Sequence, residues 1–369
     1  NTMFRTPDYI SNLKPYIPGK SIEELEREFG LTEIHKLASN ENPLGHSPKA
    51  NEAMSKAISE LNRYPDVGSV VLREKISDKF GIPVENIAVG SGSEGIMANL
   101  LRCYLCEGDE MITSEATFIG FQVLARGRAN KTHYVPMSRK TYKFDLDGIL
   151  DRINENTKMI YLCNPNNPTG TIFTKKEFGD FYKQVPDGVM IVLDEAYFEY
   201  ANAYDEYPNS LLYRYDNVVT FRTFSKIYGI AGLRAGYAMG HSDIISTLMK
   251  AKLPFEPNTL AQAAAAGALD DDEFLLKSVK LNSEGYEYFK AELAELEKKG
   301  ALRLIPTYAN FIMLDLFSEE KVNSVNETLL SRGVIIRPLK PFGLANCIRI
   351  TMGLMNENQA FIREFKKLF

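Results

Sequence analysis

The sequence predicts an α/β protein with a large, mostly parallel seven-stranded sheet domain flanked by helices, and a smaller α+β domain. At 369 residues, the chain is longer than the roughly 250–300 residues at which a single hydrophobic core stops growing. Short apolar runs alternate with helical patterns between residues 47 and 255, which is the order of strands and crossover helices in a parallel sheet. We therefore assign the large domain to 47–255 and the small domain to 1–46 together with 256–369.

Seven short apolar runs are the predicted strands of the large domain. They are 87–89, 110–113, 131–135, 159–162, 189–193, 218–221 and 235–238. Open sheets of this kind bind their ligands at the carboxyl ends of the strands. Residues that directly follow a predicted strand are therefore the first candidates for a functional site.

The small domain is predicted from a long, charged amphipathic helix over 273–299 and the apolar runs 311–314, 334–337 and 347–350 that follow it. This order of elements is typical of an α+β domain. The N-terminal arm contains a Glu-rich helical pattern near 21–29. We expect that arm to pack against the small domain.

Composition limits the classes of partner. With 44% apolar and 25% charged residues, the chain has the balance of a globular protein. Its formal charge of −5 gives no broad positive field for nucleic acid. No apolar stretch reaches the roughly 20 residues that span a bilayer, and four scattered cysteines do not form a disulfide framework. From these two observations we expect a cytoplasmic protein. None of the four histidines falls in a ligand pattern, so we expect no metal site.

Lys226 is the most informative candidate. It follows the strand 218–221 within Thr223-Phe224-Ser225-Lys226, and Arg234 comes eight residues later. Partial burial would lower the amine's pKa and make it a nucleophile toward an aldehyde and then a proton carrier. The two hydroxyls and Arg234 would supply donors to a phosphate dianion. Taken alone, the pattern also fits an ordinary loop lysine.

Asp194 and Tyr197 follow the buried run 189–193. A carboxylate at that strand end can pair with a protonated ring nitrogen and keep a heterocyclic cofactor electron-withdrawing. Tyr197 can offer its hydroxyl to a phenolic oxygen on the same ring. For Asp194 alone, a helix N-cap is an equally ordinary interpretation.

Two further turns follow strands. Asn164-Pro165-Asn166-Asn167-Pro168-Thr169-Gly170 comes after 159–162, and its prolines would hold the Asn167 amide in one orientation as a hydrogen-bond donor. A simple Asn-Pro turn is the alternative. Gly90-Ser91-Gly92-Ser93-Glu94 lies between a predicted strand and a helix, so its N–H groups would form an anion site at a helix N-terminus.

Taken together and in this order, the four segments resemble the fold-type-I enzymes that depend on pyridoxal phosphate. Further segments resemble histidinol-phosphate aminotransferases in particular. These are 15–20 (Pro-Tyr-Ile-Pro-Gly-Lys), 36–43 (Lys-Leu-Ala-Ser-Asn-Glu-Asn-Pro), 63–66 (Arg-Tyr-Pro-Asp) and 349–353 (Arg-Ile-Thr-Met-Gly). The resemblance covers nearly the whole chain.

The resemblance implies a role for each matching residue around the cofactor pyridoxal 5'-phosphate. Lys226 is the Schiff-base lysine and moves the proton, Asp194 pairs with the ring nitrogen, and Asn167 and Tyr197 hold the phenolic oxygen. Phe118 stacks on the ring. The implied phosphate ligands are Thr223, Ser225, Arg234, the backbone at Ser93 and Glu94, and Tyr64 from the partner subunit. A homodimer with shared active sites follows.

On the substrate side, Arg349 and Arg337 match arginines that bind the substrate's phosphate or carboxylate, and Tyr16 and Asn40 belong to segments that line the same pocket. The implied reaction transfers an amino group between L-histidinol phosphate and 2-oxoglutarate, with glutamate as product. The chain departs from many relatives at Phe118, where they carry a tyrosine, and at Glu94 and Gly95. Phe118 and the loop 341–344 also occur in relatives that prefer aromatic amino acids.

Three alternatives remain open. The nearest is an aminotransferase for phenylalanine and tyrosine on the same scaffold. A decarboxylase acting on a phosphothreonine-type substrate would use the same fold and release carbon dioxide. A non-catalytic relative that senses an amino acid is the third, and the retained Lys226, Asp194 and Arg234 argue against it.

Overall fold

The computed structural model describes residues 4–12, 20–128, 131–212 and 215–369. Within these ranges the strands, β1 to β13, are His35–Lys36, Ile87–Gly90, Glu110–Ser114, Lys131–Val135, Thr157–Cys163, Met190–Asp194, Val218–Thr223, Gly236–Met239, Arg303–Ile305, Phe311–Asp315, Val334–Ile335, Arg337–Pro338 and Cys347–Thr351. The α-helices, α1 to α14, are Asp8–Ser11, Ile22–Phe29, Pro48–Ala57, Val70–Phe80, Gly92–Tyr104, Ile119–Arg126, Leu146–Leu150, Lys175–Tyr182, Phe198–Ala201, Ser242–Ala251, Thr259–Leu269, Asp272–Lys298, Glu319–Ser331 and Met355–Lys366.

The predicted α/β fold is confirmed. A seven-stranded sheet has the order β2-β8-β7-β6-β5-β3-β4. Its strands are those predicted from the sequence, with ends shifted by at most two residues. Strand β8 runs antiparallel to both neighbours, whereas the other pairs are parallel.

Both faces of the large sheet are buried beneath helices. Successive residues of β2 and β8 point to opposite faces, so that Ala88 and Ala238 join one core cluster while Val89 and Tyr237 join another. Two-sided burial explains why these strands are continuously apolar and do not alternate with polar residues. The sheet is thus a rigid support for the residues at its edge.

The carboxyl ends of three parallel strands meet at one edge. Cys163 at the end of β5 pairs in register with Asp194 at the end of β6, and Asp194 pairs with Phe221 of β7. Because parallel neighbours are about 4.8 Å apart, residues that follow these strands start from neighbouring positions. The register therefore brings the predicted turns together.

A four-stranded antiparallel sheet of order β12-β13-β10-β9 forms the centre of a second hydrophobic core. Its apolar side chains pack with those of α12, α13 and α14 in one core cluster. The helix predicted in the N-terminal arm is α2, begins after the N-cap Ser21 and packs Leu25 against Ala38 and Ile335. Helix α2 therefore packs against the small domain, and the assignment of the rest of the arm stays a prediction.

One predicted strand was wrong in its extent. The run 334–337 divides into β11, which pairs with β1, and β12, which pairs with β13. The chain changes partner at Ile336, because β1 lies beside the residues before it and β13 lies beside the residues after it.

The domain limits at residues 46 and 255 stay a prediction. Helix α11 lies beyond the second limit and packs in one core cluster with Ala50 of α3 and Ile76 of α4.

Among the described residues, none of the helices has both the length and the apolar composition needed to cross a bilayer.

Candidate active site

A cavity of about 730 Å³ opens at the carboxyl edge of the large sheet. The cavity is lined by Ser93, Glu94, Phe118, Cys163, Asn167, Asp194, Ala196, Tyr197, Thr223, Ser225, Lys226, Ala231 and Arg234. Ten of these thirteen residues are candidates from the sequence, so the structure brings together residues separated by up to 141 positions in the chain.

One part of the cavity is built to bind an anion. Arg234 donates from Nη1 to the Ser225 hydroxyl at 3.3 Å, and the Ser225 N–H donates to the Thr223 hydroxyl at 3.0 Å. The N-cap of α5, Ser91, makes no side-chain cap, which leaves the first N–H groups of that helix available. Guanidinium, hydroxyls and a helix N-terminus are the donors that a phosphate dianion requires.

Two glycines permit this close arrangement. A Cβ on Gly92, whose φ is +74°, would lie 2.7 Å from the Arg234 Nη2, and a Cβ on Gly236 would overlap the backbone N of Ser93. Only a residue without a side chain lets α5, β8 and Arg234 approach so closely. The glycine-rich turn is therefore a packing requirement of the anion site.

Asp194 is the buried acid of the cavity. It is 3% exposed, and its carboxylate accepts hydrogen bonds from the Tyr161 hydroxyl at 2.6 Å and from the Ala196 N–H at 3.2 Å. Burial raises the pKa of Asp194 to about 6, and these two hydrogen bonds oppose that rise. The carboxylate is thus held in place by donors while desolvation makes it a readier proton acceptor.

Lys226 is the partly buried base of the cavity. Its Nζ lies 5.7 Å from the centroid of the Tyr197 ring. Burial lowers the pKa of Lys226 to about 8, and the positive charge of Arg349 acts in the same direction. A substantial fraction of neutral amine is therefore present near neutral pH, as nucleophilic attack requires.

Tyr197 is oriented by Asn40. The Asn40 Nδ2 donates to the Tyr197 hydroxyl at 2.9 Å, and Thr351 and Asn310 in turn hold Asn40 through its side chain and carbonyl. Asn40 has a positive φ of 56°, a conformation that Asn adopts more readily than most residues. The structure therefore places Asn40 directly beside a residue of the cavity.

The two candidate arginines of the small domain are neighbours. Arg337 of β12 and Arg349 of β13 form a register pair, and both are buried. Arg349 donates to the Asn167 Oδ1 and, at 2.8 Å, to the Ala38 carbonyl. Arg349 thus connects the small sheet to the turn that carries Asn167.

Five candidates are not among the residues that line this cavity. Asn40 and Arg349 contact lining residues, and Arg337 is the register partner of Arg349. Tyr64 is 79% exposed and stacks on Phe255, with ring centroids 4.1 Å apart. Tyr16 lies outside the described residues.

Tyr161 and Cys163 were missed as site residues. Both side chains point to the same face of β5, where Cys163 lines the cavity and Tyr161 binds Asp194. The period-two spacing was visible in the sequence. The partner of Tyr161 was not, because it depends on the β5–β6 register.

The lining fits pyridoxal phosphate. The anion site provides for a phosphate, Asp194 provides a carboxylate for a ring nitrogen, and Lys226 provides an amine for an aldehyde. Within the described chain, no group of three or more His, Cys, Asp or Glu residues could hold a metal ion. The mostly parallel sheet and a lysine in the cavity after strand β7 define the fold-type-I class of pyridoxal-phosphate enzymes.

Comparison with known proteins gives the family. A model of the family "Aminotransferase class I and II" matches residues 32–364, and the chain belongs to that family. It is 41% identical over 359 residues to histidinol-phosphate aminotransferase 2 of Carboxydothermus hydrogenoformans, covering 97% of each chain. It is 40% identical to histidinol-phosphate aminotransferase of Moorella thermoacetica, covering 100% of this chain and 94% of the relative.

A solved structure is similar over the same length. Histidinol-phosphate aminotransferase from Sinorhizobium meliloti, in complex with pyridoxal-5'-phosphate, superposes with a TM-score of 0.88 at 27% identity. The match covers 100% of this chain and 98% of that one. Aspartate aminotransferase of Thermus thermophilus, at 20% identity and a TM-score of 0.83, shares the fold.

Proposed function

We propose that the protein is a pyridoxal-phosphate-dependent aminotransferase of histidine biosynthesis. It interconverts L-histidinol phosphate and 2-oxoglutarate with imidazole-acetol phosphate and L-glutamate. The observation that carries the chemistry is the partly buried amine of Lys226, with a pKa near 8, in one cavity with Asp194 and an anion site. The relatives with about 40% identity over almost the full chain support the choice of substrate.

The residues that would hold the cofactor follow from the donor set. Arg234, Thr223, Ser225 and the first turn of α5, at Ser93 and Glu94, bind its phosphate. Asp194 binds the ring nitrogen, Asn167 and Tyr197 the phenolic oxygen, and Phe118 packs on the ring. When bound, pyridoxal phosphate supplies an aldehyde for the amine and a ring that withdraws electrons.

The chain's own groups then move the proton. The neutral amine of Lys226 accepts a proton from the substrate's Cα and donates it at the other end of the reacting group, which is general base and then general acid catalysis. Its pKa of about 8 suits both directions near neutral pH. Asp194 remains a carboxylate, held by the Tyr161 hydroxyl and the Ala196 N–H.

Arg349 and Arg337 bind the anionic group of each substrate in turn. A guanidinium fork suits both a carboxylate and a phosphate, so the same pair serves 2-oxoglutarate and histidinol phosphate. Burial of both arginines makes such a contact stronger than it would be in water. Asn40, which donates to the Tyr197 hydroxyl, completes this side of the pocket.

An aminotransferase for phenylalanine and tyrosine is the second candidate. Phe118 lines the cavity without a hydroxyl, and the ring of Phe342 lies with its centroid 5.9 Å from the Arg349 guanidinium carbon. Both rings make the surroundings more apolar than a phosphate ligand needs.

A panel of amino donors separates the two candidates. Histidinol phosphate, phenylalanine and tyrosine are compared in single half-reactions, followed by the loss of cofactor absorbance, and then in turnover with 2-oxoglutarate. We expect kcat/KM to be at least tenfold higher for histidinol phosphate. Equal or higher values for phenylalanine would support the second candidate and reject the first.

We propose that the protein is a homodimer with shared active sites. Eight exposed apolar side chains occur in two segments, 58–71 and 253–255, that meet where Tyr64 stacks on Phe255. We call them the Tyr64 patch: Ile58, Leu61, Tyr64, Val67, Val70, Val71, Leu253 and Phe255. Each of these side chains is more than 40% exposed. Monomeric proteins rarely leave such a concentration of apolar side chains uncovered, and a second copy with the same patch would cover it about a twofold axis.

Subunit complementation tests the dimer. Tyr64→Ala and Lys226→Ala proteins are unfolded, mixed in equal amounts and refolded together. If each site uses Tyr64 of the partner, one site of every hybrid is intact, and about a quarter of wild-type activity returns. Recovery no greater than the residual activity of the two parents would contradict shared sites.

We also propose a cytoplasmic location. The four cysteines are all free, which fits a reducing compartment.

A further inference from the structure

The most informative contact outside the predicted site lies behind Asp194. The Tyr161 hydroxyl donates to the Asp194 Oδ2 at 2.6 Å. Both residues are buried, with Tyr161 at 0% and Asp194 at 3% exposure. A short hydrogen bond from a neutral donor to a carboxylate in such surroundings is worth more than one in water.

The position of Tyr161 is fixed by its strand and by a stacked ring. It lies in the middle of β5, two residues before Cys163, which is the register partner of Asp194. Its ring stacks on Phe121 of α6, with centroids 3.7 Å apart and an angle of 7° between the planes. The hydroxyl is therefore aimed at Asp194 by the sheet and by a helix packed on the sheet.

Each Asp194 oxygen accepts one hydrogen bond from the protein: Oδ2 from Tyr161 and Oδ1 from the Ala196 N–H. An ionised carboxylate has about four acceptor positions, so two remain for a ligand in the cavity. The two protein donors fix the plane of the carboxylate and stabilise its charged form.

The other groups near Asp194 have opposite effects on its pKa. Burial and the Glu94 carboxylate of α5 raise the pKa of Asp194, whereas Tyr161, Ala196 and the Lys226 ammonium lower it. Burial raises the pKa of Tyr161 and of the Cys163 thiol well above their ordinary values, so both stay neutral. Tyr161 is thus a permanent donor, whatever the pH of a working enzyme.

We propose that Tyr161 is a positioning residue that acts through Asp194: its hydroxyl keeps the proton off the carboxylate and therefore on the ring nitrogen of the cofactor. The inference rests on the proposed function, because it needs pyridoxal phosphate in the cavity. A carboxylate that is less basic takes less of the shared proton. Without the hydroxyl, Asp194 competes for that proton more strongly, and the ring withdraws electrons less well.

The test compares Tyr161→Phe with the wild type. The variant keeps the stacked ring and loses only the donor. Loss of a hydrogen bond to a charged group corresponds to roughly one to two pKa units. We therefore expect the dissociation constant for pyridoxal phosphate to rise about tenfold or more, and the protonation midpoint of the ¹⁵N-labelled ring nitrogen to fall by one to two units in NMR titrations of the holoprotein.

Tyr142→Phe is a matched control. Tyr142 is also fully buried, and its hydroxyl donates to a buried carboxylate, Asp315, at 2.8 Å, but neither residue lines the cavity. This variant loses the same kind of hydrogen bond. We expect a lower melting temperature with an unchanged ring-nitrogen midpoint.

Two further proteins keep the proposal testable if Tyr161→Phe does not fold. Fluorotyrosine in place of Tyr161 is a stronger donor of nearly the same size, and it should shift the ring-nitrogen midpoint in the opposite direction. In an Asp194→Asn background, which has no proton to exchange, Tyr161→Phe should change that midpoint no further.

The outcomes are distinguishable from a failure of the proposed function. Wild-type protein that binds no pyridoxal phosphate would reject that function itself. Wild-type binding together with an unchanged midpoint and affinity in both Tyr161 proteins would overturn the inference alone. A midpoint shift of equal size in Tyr142→Phe would also overturn it, because the effect would then not pass through Asp194.

Discussion

Replacing Arg222 with methionine is expected to destabilise the edge of the sheet that carries the site. Arg222 is fully buried in β7, directly before Thr223, and its Nη2 lies 3.6 Å from the Glu195 carboxylate, directly after Asp194. Its guanidinium carbon lies 3.3 Å from the centroid of the Phe198 ring. The buried ion pair thus joins the two strand ends on which the proposed cofactor residues depend.

The size of the stability loss in Arg222→Met follows from the burial of Glu195, the partner in the ion pair. Glu195 is 2% exposed, and among the described side chains Arg222→Met would leave its charge with the hydroxyls of Tyr207 and Ser210 as donors. Removing one member of a buried pair costs about 3–5 kcal/mol. At about 2 °C per kcal/mol, the melting temperature would fall by about 6–10 °C. Bound cofactor should also be lost more readily.

The pH dependence has a definite sign. Burial already raises the pKa of Glu195 above the ordinary 4.5, and Arg222 opposes that rise. In Arg222→Met, folding therefore favours the protonated acid more strongly. Stability of the variant falls as the pH rises above 4.5, so its deficit is larger at pH 8 than at pH 5.

Thermal and urea unfolding at both pH values measure this effect. The matched control is the double variant Arg222→Met with Glu195→Gln, which removes both charges and should recover most of the loss. A deficit below about 1 kcal/mol, or one that does not change with pH, would show that the Arg222–Glu195 pair does not hold the two strand ends together.

Two further predictions concern the cavity. The amine of Lys226, with a pKa of about 8, should give an apoprotein whose rate of reaction with pyridoxal phosphate rises with pH and is half-maximal near pH 8. Stopped-flow absorbance measures it, and a midpoint near the ordinary lysine value of 10.5 would contradict the partly buried amine. Arg349→Gln should lower kcat/KM for 2-oxoglutarate by about 10- to 100-fold, the loss of a charged hydrogen bond, with pyridoxal phosphate affinity within about threefold. Steady-state kinetics and cofactor titration check this, and a larger effect on the cofactor would contradict the role.

Much of the site could be predicted because parallel strands share an edge. Asn167, Asp194 and Lys226 each follow an apolar run, and the rule that carboxyl ends meet is enough to expect them together. Their spacing along the chain carried the prediction. No knowledge of individual contacts was needed.

Other features depend on contacts that a sequence pattern does not contain. Tyr161 looks like any apolar-strand residue until the register places its hydroxyl on Asp194, 33 positions later. The division of 334–337 into two strands depends on two different partners, His35 for Val334 and Arg349 for Arg337. Both features are set by tertiary contacts, which override the local sequence pattern.

Every proposed step depends on Lys226 being the amine that joins the cofactor. The direct measurement is borohydride reduction of the holoprotein, followed by peptide mass spectrometry, with Lys226→Ala as the control. We expect a stable pyridoxyl-phosphate mass on the peptide that contains Lys226 and no labelled peptide in the variant. Label on any other lysine of the wild type, or none, would contradict the account.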